Sequence, residues 1–425
     1  MKPEPLTTAL FMRHQAAGAN MGDFGGYRMP LWYPAGMRRE HRAVILAAGL
    51  FDTSHMAVLT VNGPGARGLL QQTFTKDLDR VGPTNQPLAP GRCVYGAFCD
   101  SRGHLIDDTI VYRQGIEDYF VVVNAGMGPI VAAHLLRHVD SSEAAVVDMT
   151  GKIAKLDLQG PAAAKILGRL LADPQTVFNR LPYFAFKGHF ELRHPDADTV
   201  RLNDGTSLLL SRTGYTGEFG FEIFMAPEAA VLMWDRLLEA GADFGLLPCG
   251  LAARDSLRTG AVLPLSHQDI GDWPFIHHPW SFALPYGPDG RIFTKDFVGA
   301  AALIQDAGKA AHTLAFVGLD QRKVVAGPQT RVLDAQGRSI GVVLTCATDT
   351  AIGWVDAKIM SIASLQRPAN FDPKGLSCGF VRVDFPLAPG TQLILDDGRR
   401  SIEVLIVKDI RPDRTARMPI NRMCG

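Results

Sequence analysis

The sequence has few cysteines and places none of them in a pattern that binds a metal or builds a disulfide framework. Its six cysteines are scattered over 425 residues, and no two form a CxxC pair. The closest two, Cys93 and Cys99, lie in segments typical of buried strands. His134 and His138 have helical spacing but no third metal ligand nearby in sequence. We therefore expect free cysteines in the core and no metal.

The chain also lacks an excess of either charge and any long apolar run. Lys plus Arg and Asp plus Glu each number 43, which argues against nucleic acid as the main partner. The longest charge-free stretch near the middle, residues 120–136, contains two glycines and a proline and does not predict a membrane-spanning helix. The N-terminus has an early acidic residue, so we expect no signal peptide. These absences favour a cytoplasmic globular protein with no membrane partner.

Local patterns predict several individual elements. Residues 66–73 are typical of a helix, and residues 93–99 and 105–112 are predicted strands joined into a hairpin by a short turn. Another strand is predicted over residues 147–158, and the interval 357–374 is expected to be an extra loop.

The composition changes near residue 310. Before this point strand patterns alternate with helical ones, and after it strands follow one another with DAQG and DDG turns between them. A chain of 425 residues is long enough for two or three domains. We predict an α+β fold with a mixed region at 1–310 and an all-β barrel domain at 311–425.

The run SRTGYTGEFGFEI, residues 211–223, combines glycines, aromatic rings and acids. Its three glycines allow sharp turns and let a ligand approach the backbone closely. Tyr215 and Phe219 offer flat faces, and Glu218 and Glu222 offer acceptors for a planar heterocycle rich in N–H donors. A glycine-rich hairpin with exposed charges explains the run equally well.

Two further segments hold charges in unusual places. Asp107 and Asp108 lie inside the apolar strand LIDDTIVY, where neighbouring side chains point to opposite faces, so at most one is expected to face a given pocket. A buried carboxylate is tolerated where it positions a ligand or moves a proton. Arg254 and Arg258, four residues apart in GLAARDSLRTG, suit an anion or an ordinary surface face.

Several motifs, in order, resemble the folate-dependent aminomethyltransferase family, whose type member is the T-protein of the glycine cleavage system. They are DFGGYRMPLWY (23–33), GLFDTSHM (49–56), LIDDTIVY (105–112), VVVNA (121–125), LQGP (158–161), SRTGYTGEFGFEI (211–223) and CGLAARDSLRTGAVLPL (249–265). The resemblance covers about residues 20–300 at motif level, and the C-terminal region only in strand pattern. It implies a three-domain cloverleaf: mixed α/β N-terminal and middle lobes around a central folate hole, the second lobe interleaved at about 55–145, and a C-terminal all-β barrel.

The resemblance also implies an activity and its residues. The family's T-protein takes an aminomethyl group from the lipoyl arm of the H-protein, releases ammonia and forms 5,10-methylenetetrahydrofolate, so tetrahydrofolate is the expected cofactor and the H-protein the expected partner. By position, Asp107 is the catalytic acid that orients the folate nitrogens and assists proton movement, and Glu222 reads the pterin. The other implied folate-binding residues are Asn124, Tyr215, Arg254, Trp280, Tyr95 and Met56.

Three segments depart from the family's pattern and leave the one-carbon donor open. They are 271–279, 345–355 and 357–374, toward the entrance for the second substrate. A demethylase that passes a methyl group from a small methyl ether or a methylated sulfur or nitrogen compound to tetrahydrofolate would keep the same pterin motifs. Retention of both Asp107 and Asp108 favours the T-protein interpretation. A non-enzymatic folate-binding assembly protein is disfavoured, because such relatives carry a cysteine in the glycine-rich run. The histidines at 267, 277 and 278 line either the donor entrance or a simple turn.

Overall fold

The computed structural model describes residues 4–82, 84–139 and 143–424. The α-helices of these residues are α1 Phe11–Ala16, α2 Met37–Leu46, α3 Ala66–Thr73, α4 Gly128–Leu136, α5 Ala163–Gly168, α6 Pro174–Phe178, α7 Ala230–Gly241, α8 Leu251–Gly260 and α9 Ala300–Asp306. No helix in the described parts of the chain is long and apolar enough to cross a membrane.

The strands follow the chain from the N-terminal segment to the C-terminal barrel. They are β1 Asn20–Phe24, β2 Tyr27–Trp32, β3 Ala48–Asp52, β4 Ala57–Asn62, β5 Arg92–Cys99, β6 Leu105–Arg113, β7 Asp118–Val123, β8 Ala145–Asp148, β9 Ala154–Gln159, β10 Phe186–Lys187, β11 Leu209–Ser211, β12 Gly220–Met225, β13 Leu246–Pro248, β14 His312–Gly318, β15 Gly327–Leu333, β16 Ser339–Asp349, β17 Ile352–Val355, β18 Lys358–Ser361, β19 Leu376–Val383, β20 Gln392–Asp396 and β21 Ser401–Val407.

Three large sheets organise the described residues. The first has the order β10-β11-β12-β9-β3-β13, and β13 pairs with β3 in the parallel sense. The second, β5-β6-β7-β4-β8, lies between β3 and β9 in sequence, so the chain leaves the first sheet and later returns to it. The third is a closed barrel, β14-β19-β16-β15-β20-β21. The predicted α+β class and the C-terminal all-β barrel are confirmed, while the domain limits at about 55–145 and 310 stay predictions.

Alternation along β9 and β12 gives the first sheet one apolar and one polar face. On β9, Leu156 and Leu158 enter the core together with Phe221 and Ile223 of β12. The side chains between them point to the opposite face, as the period of two in a strand requires. These intervening residues of β9 are Lys155, Asp157 and Gln159, and all three are buried. The sheet therefore carries buried polar groups on the face turned away from this core.

Several local predictions are confirmed and two are wrong. The helix at 66–73 and the hairpin of β5 and β6 are confirmed, and Cys93 and Cys99 are buried free cysteines. The predicted strand over 147–158 is two strands, because Asp148 accepts from the N–H and hydroxyl of Thr150 in a turn between β8 and β9. The interval 357–374 is not entirely a loop, since β18 pairs with β17.

Candidate active site

Two acidic residues of β6 meet at one amide. Asn124 lies just beyond Ile110 and Val122, where the pairing of β6 with β7 ends. Its Nδ2 lies 2.8 Å from Oδ1 of Asp107 and 2.8 Å from Oδ1 of Asp108, and its backbone N–H donates to Oδ2 of Asp107 at 2.8 Å. That at most one of the two acids faces a given pocket stays a prediction. An amide beyond the end of the ladder reaches a carboxylate on each side of the strand.

We call Asp107 and Asp108 the acid pair, and burial changes the acid strength of Asp108. The side chain of Asp107 is fully buried, and Tyr95 donates a hydrogen bond to Oδ2 of Asp108 at 2.8 Å. Burial, and then the charge of Asp107, raises the pKa of Asp108 to about 6, although the hydrogen bonds from Tyr95 and Asn124 lower it. A carboxyl pair with one member titrating near pH 6 can take up a proton and return it at neutral pH, which is what general acid–base catalysis requires.

The segment after α8 also reaches Asp107. Oγ of Ser266 donates to Oδ1 of Asp107 at 3.0 Å, and Nε2 of His267 lies 3.7 Å from the same oxygen. His277 instead lies against the carbonyl of Ala307 and stacks on His312. Of the histidines whose place the sequence left open, the structure thus brings His267 to the acid pair.

A second group of charges lies on the polar face of the first sheet. Glu222 of β12 lies opposite Asp157 of β9. Nζ of Lys155 is 2.6 Å from Oδ1 of Asp157 and 2.6 Å from Oε1 of Glu222, and Nη1 of Arg254 on α8 is 2.7 Å from Oδ2 of Asp157. Burial raises the pKa of Asp157, but the charges of Lys155 and Arg254 outweigh it and lower the pKa to about 2. We call Lys155, Asp157, Glu222 and Arg254 the charge cluster; its two cations balance its two carboxylates.

Hydroxyl groups complete the surroundings of Glu222. Tyr112 of β6 donates to Oε2 of Glu222 at 3.2 Å, and the hydroxyl of Thr213 donates to the same oxygen. Met56 is half-buried against the apolar cluster that contains Tyr112. Strand β6 of the second sheet therefore carries both the acid pair and Tyr112, which contacts the charge cluster.

Tyr215 lies near both groups. Its ring centroid is 4.9 Å from the guanidinium of Arg254, and its hydroxyl donates to the carbonyl of Pro264. Burial raises the pKa of Tyr215; Arg258 opposes this effect, and the nearby charge of Asp108 adds to it. Among the predicted site residues, the structure brings Asp107, Asn124 and Tyr95 to the acid pair, and Tyr215 alongside the charge cluster.

Trp280 has a different position from the other predicted residues. It is 1% exposed, its indole N–H donates to the carbonyl of Val262 at 2.8 Å, and its ring lies 5.2 Å from that of Phe380 in the barrel. Trp280 therefore packs between the segment after α8 and the barrel, in a core formed by both.

Sequence reasoning missed Lys155 and Asp157 and left open what Glu218 and the two arginines of α8 contact. Lys155 and Asp157 were visible as the alternate polar positions of the strand AKLDLQ. Glu218 is not in the charge cluster: Nε of Arg411 donates to it at 3.2 Å and the hydroxyl of Thr415 at 2.6 Å. The two arginines of α8 do not form one anion site, because Arg254 pairs with Asp157 and Arg258 with Asp269.

Comparisons with known proteins identify chains that are similar to this one. The family model of the GCVT N-terminal domain matches residues 10–273, more than half of the chain. An aminomethyltransferase of Saccharopolyspora erythraea is 37% identical over 356 residues, covering 82% of this chain and 88% of that protein. An aminomethyltransferase of Desulfitobacterium hafniense is 40% identical over 336 residues, covering 79% of this chain and 84% of that protein.

A solved structure is similar over nearly the whole length. The crystal structure of the glycine cleavage system aminomethyltransferase T from Bartonella henselae superposes with a TM-score of 0.72 at 28% identity, covering 94% of this chain and 96% of that one. The similarity therefore extends through the barrel, beyond the segment matched by the family model. This chain belongs to the family of glycine cleavage system aminomethyltransferases.

Proposed function

We propose that this protein is a tetrahydrofolate-dependent aminomethyltransferase of glycine cleavage. It takes the aminomethyl group from the lipoyl arm of the H-protein, releases ammonia and forms 5,10-methylenetetrahydrofolate. Family membership supports the transfer, and the observation that carries the assignment of the site is the acid pair held by Asn124, in which Asp107 is fully buried.

The residues of the site fit a planar group rich in N–H donors. Oε1 of Glu222 accepts from Lys155, and a carboxylate oxygen has capacity for a second donor. Nδ1 of His55, which is buried beside the charge cluster, has no hydrogen-bond partner among the described residues. These two groups support a role for Glu222 in reading the pterin, with Tyr215, Met56 and Arg254 around it. A folate contact of Trp280 stays a prediction.

The acid pair has the proton-transfer task. Tetrahydrofolate, when bound, supplies two nitrogens that accept the carbon, and each nitrogen loses a proton as the methylene bridge forms. The released ammonia and the lipoyl thiol each gain one proton, so the site removes as many protons as it delivers. Asp107 orients the reacting nitrogens and receives a proton. Asp108, with its pKa of about 6, also accepts and donates a proton. Asn124 fixes both carboxylates in place, and such orientation contributes several kcal/mol to catalysis.

The test is a turnover assay with tetrahydrofolate and aminomethyl-loaded H-protein. Ammonia and methylenetetrahydrofolate are followed together, and equal amounts of both are the expected result. Binding of tetrahydrofolate without turnover would refute the H-protein as donor, and methyl ethers and methylated sulfur or nitrogen compounds would then be screened. Absence of tetrahydrofolate binding would refute the proposal as a whole.

A further inference from the structure

His267 has an unusual backbone conformation beside Asp107. Its φ is +62°, in the left-handed region that non-glycine residues rarely occupy, although histidine is found there more often than most. This conformation is less favourable than an ordinary one, because Cβ comes close to the backbone. Such strain persists only where the surrounding structure imposes it.

The surrounding structure fixes the turn on both sides of His267. Before it, Ser266 is bonded to Asp107 at 3.0 Å. After it, Nε2 of Gln268 donates to the carbonyl of Leu344 at 3.0 Å, and the fully buried Asp269 accepts from the hydroxyl of Thr345 at 2.6 Å. Leu344 and Thr345 belong to β16 of the barrel. The barrel and Asp107 thus fix the backbone turn that carries His267.

Asp107 needs a path to water that its own side chain does not have. The Asp107 side chain is 0% exposed, whereas that of His267 is 48% exposed. Among the described residues, the other groups that hydrogen-bond to the Asp107 carboxylate are the side-chain amide and backbone N–H of Asn124 and the hydroxyl of Ser266, none of which titrates near neutral pH. The adjacent Asp108 also titrates, but among the described residues no hydrogen bond joins its carboxyl group to that of Asp107.

We propose that His267 is a relay residue that carries the proton between Asp107 and solvent. The inference rests on the proposed function, since it takes Asp107 as the group that receives a proton during the reaction. Protonated Asp107 gives its proton to Nε2, across 3.7 Å that a small side-chain rotation closes, while the proton on Nδ1 leaves to solvent. One proton enters the ring and one leaves it, so the imidazole keeps its charge. Asp107 and Asp108 are the charged groups that act on His267, and both raise its pKa.

The test uses two variants in the full reaction with tetrahydrofolate and H-protein. His267→Gly fits the left-handed backbone and removes the imidazole, so it folds and leaves space for a small base. His267→Asn tolerates the same backbone and keeps hydrogen-bonding capacity without titrating. We expect kcat to fall about 10- to 100-fold in both, with KM for tetrahydrofolate unchanged and with added imidazole restoring part of kcat in His267→Gly.

A matched control separates the relay from a general effect of the substitution. His277 also has a positive φ, +56°, but its ring lies against Ala307 and His312. His277→Gly should keep kcat and show no response to imidazole. A kcat within twofold of the wild type in both His267 variants, or a loss that imidazole does not restore, would overturn the relay alone. Absence of wild-type turnover would overturn the proposed function and the relay with it.

Discussion

Replacing Lys155 with methionine tests whether the charge cluster is a balanced electrostatic unit. Methionine is apolar and similar in length to lysine, so the substitution changes the net charge of the cluster from zero to −1 at nearly constant shape. Asp157 keeps Arg254 at 2.7 Å, but Glu222 loses the ammonium 2.6 Å from its Oε1. Breaking a buried ion pair on one side costs about 3–5 kcal/mol. Because Tyr112 and Thr213 still donate to Glu222, we expect the free energy of unfolding to fall by about 3 kcal/mol.

The double variant Lys155→Met/Glu222→Gln gives the decisive comparison. It returns the net charge of the cluster to zero and leaves Asp157 and Arg254 paired, so the expected loss is about 1 kcal/mol or less. Urea unfolding at pH 7, followed by tryptophan fluorescence, measures both variants. Arg338→Met is the control, because Arg338 is 73% exposed beside Asp334 and its loss should change stability by less than about 0.5 kcal/mol. A single variant as stable as this control, or a double variant less stable than the single one, would refute a balanced cluster.

Three further predictions concern the catalytic and binding residues. Asp107→Asn should lower kcat by about 100- to 10,000-fold, measured by single-turnover kinetics, while the Kd for tetrahydrofolate, measured by calorimetry, stays within about threefold. Asp118 is exposed in the same sheet, so Asp118→Asn serves as the control and should behave as wild type. Glu222→Ala should weaken tetrahydrofolate binding by about 1.5–3 kcal/mol, roughly 10- to 150-fold in Kd, and an unchanged Kd would refute the pterin-reading role. Asp108 is protonated below its pKa of about 6, so kcat/KM should fall as the pH drops through 6. Tyr95→Phe should move this midpoint upward, since the hydrogen bond from Tyr95 lowers the pKa of Asp108; an unmoved midpoint would show that another group controls it.

The parts of the fold that were predictable have their cause in local sequence. The helix at 66–73 and the hairpin of β5 and β6 depend on neighbouring residues and a short turn. The barrel strands depend on alternation and on tight turns rich in aspartate and glycine. The segment 147–158 contains the turn residues Asp148, Thr150 and Gly151, but only pairing with distant strands assigns β8 and β9 to different sheets.

The parts of the site that were not predictable depend on tertiary contacts. The strand AKLDLQ alternates in the same way whether its polar face is in water or buried, so the sequence does not show that Lys155 and Asp157 meet Glu222 and Arg254. Histidine as a residue type does not indicate a left-handed backbone, so the position of His267 follows from Gln268 and its barrel contact instead.

The interruption of the first sheet has a consequence for the order in which the chain is made. Leu50 of β3 pairs with Leu158 of β9, 108 positions later, and β13 pairs with β3 later still. At about 5–20 residues per second, translation takes roughly 5–20 s to cover that distance. All strands of the second sheet, ending at Asp148, have left the ribosome before β9 emerges. The charge cluster is therefore among the last parts of this region to come together on a nascent chain, whereas both acids and the amide that holds them are synthesised within 18 consecutive residues, Asp107 to Asn124.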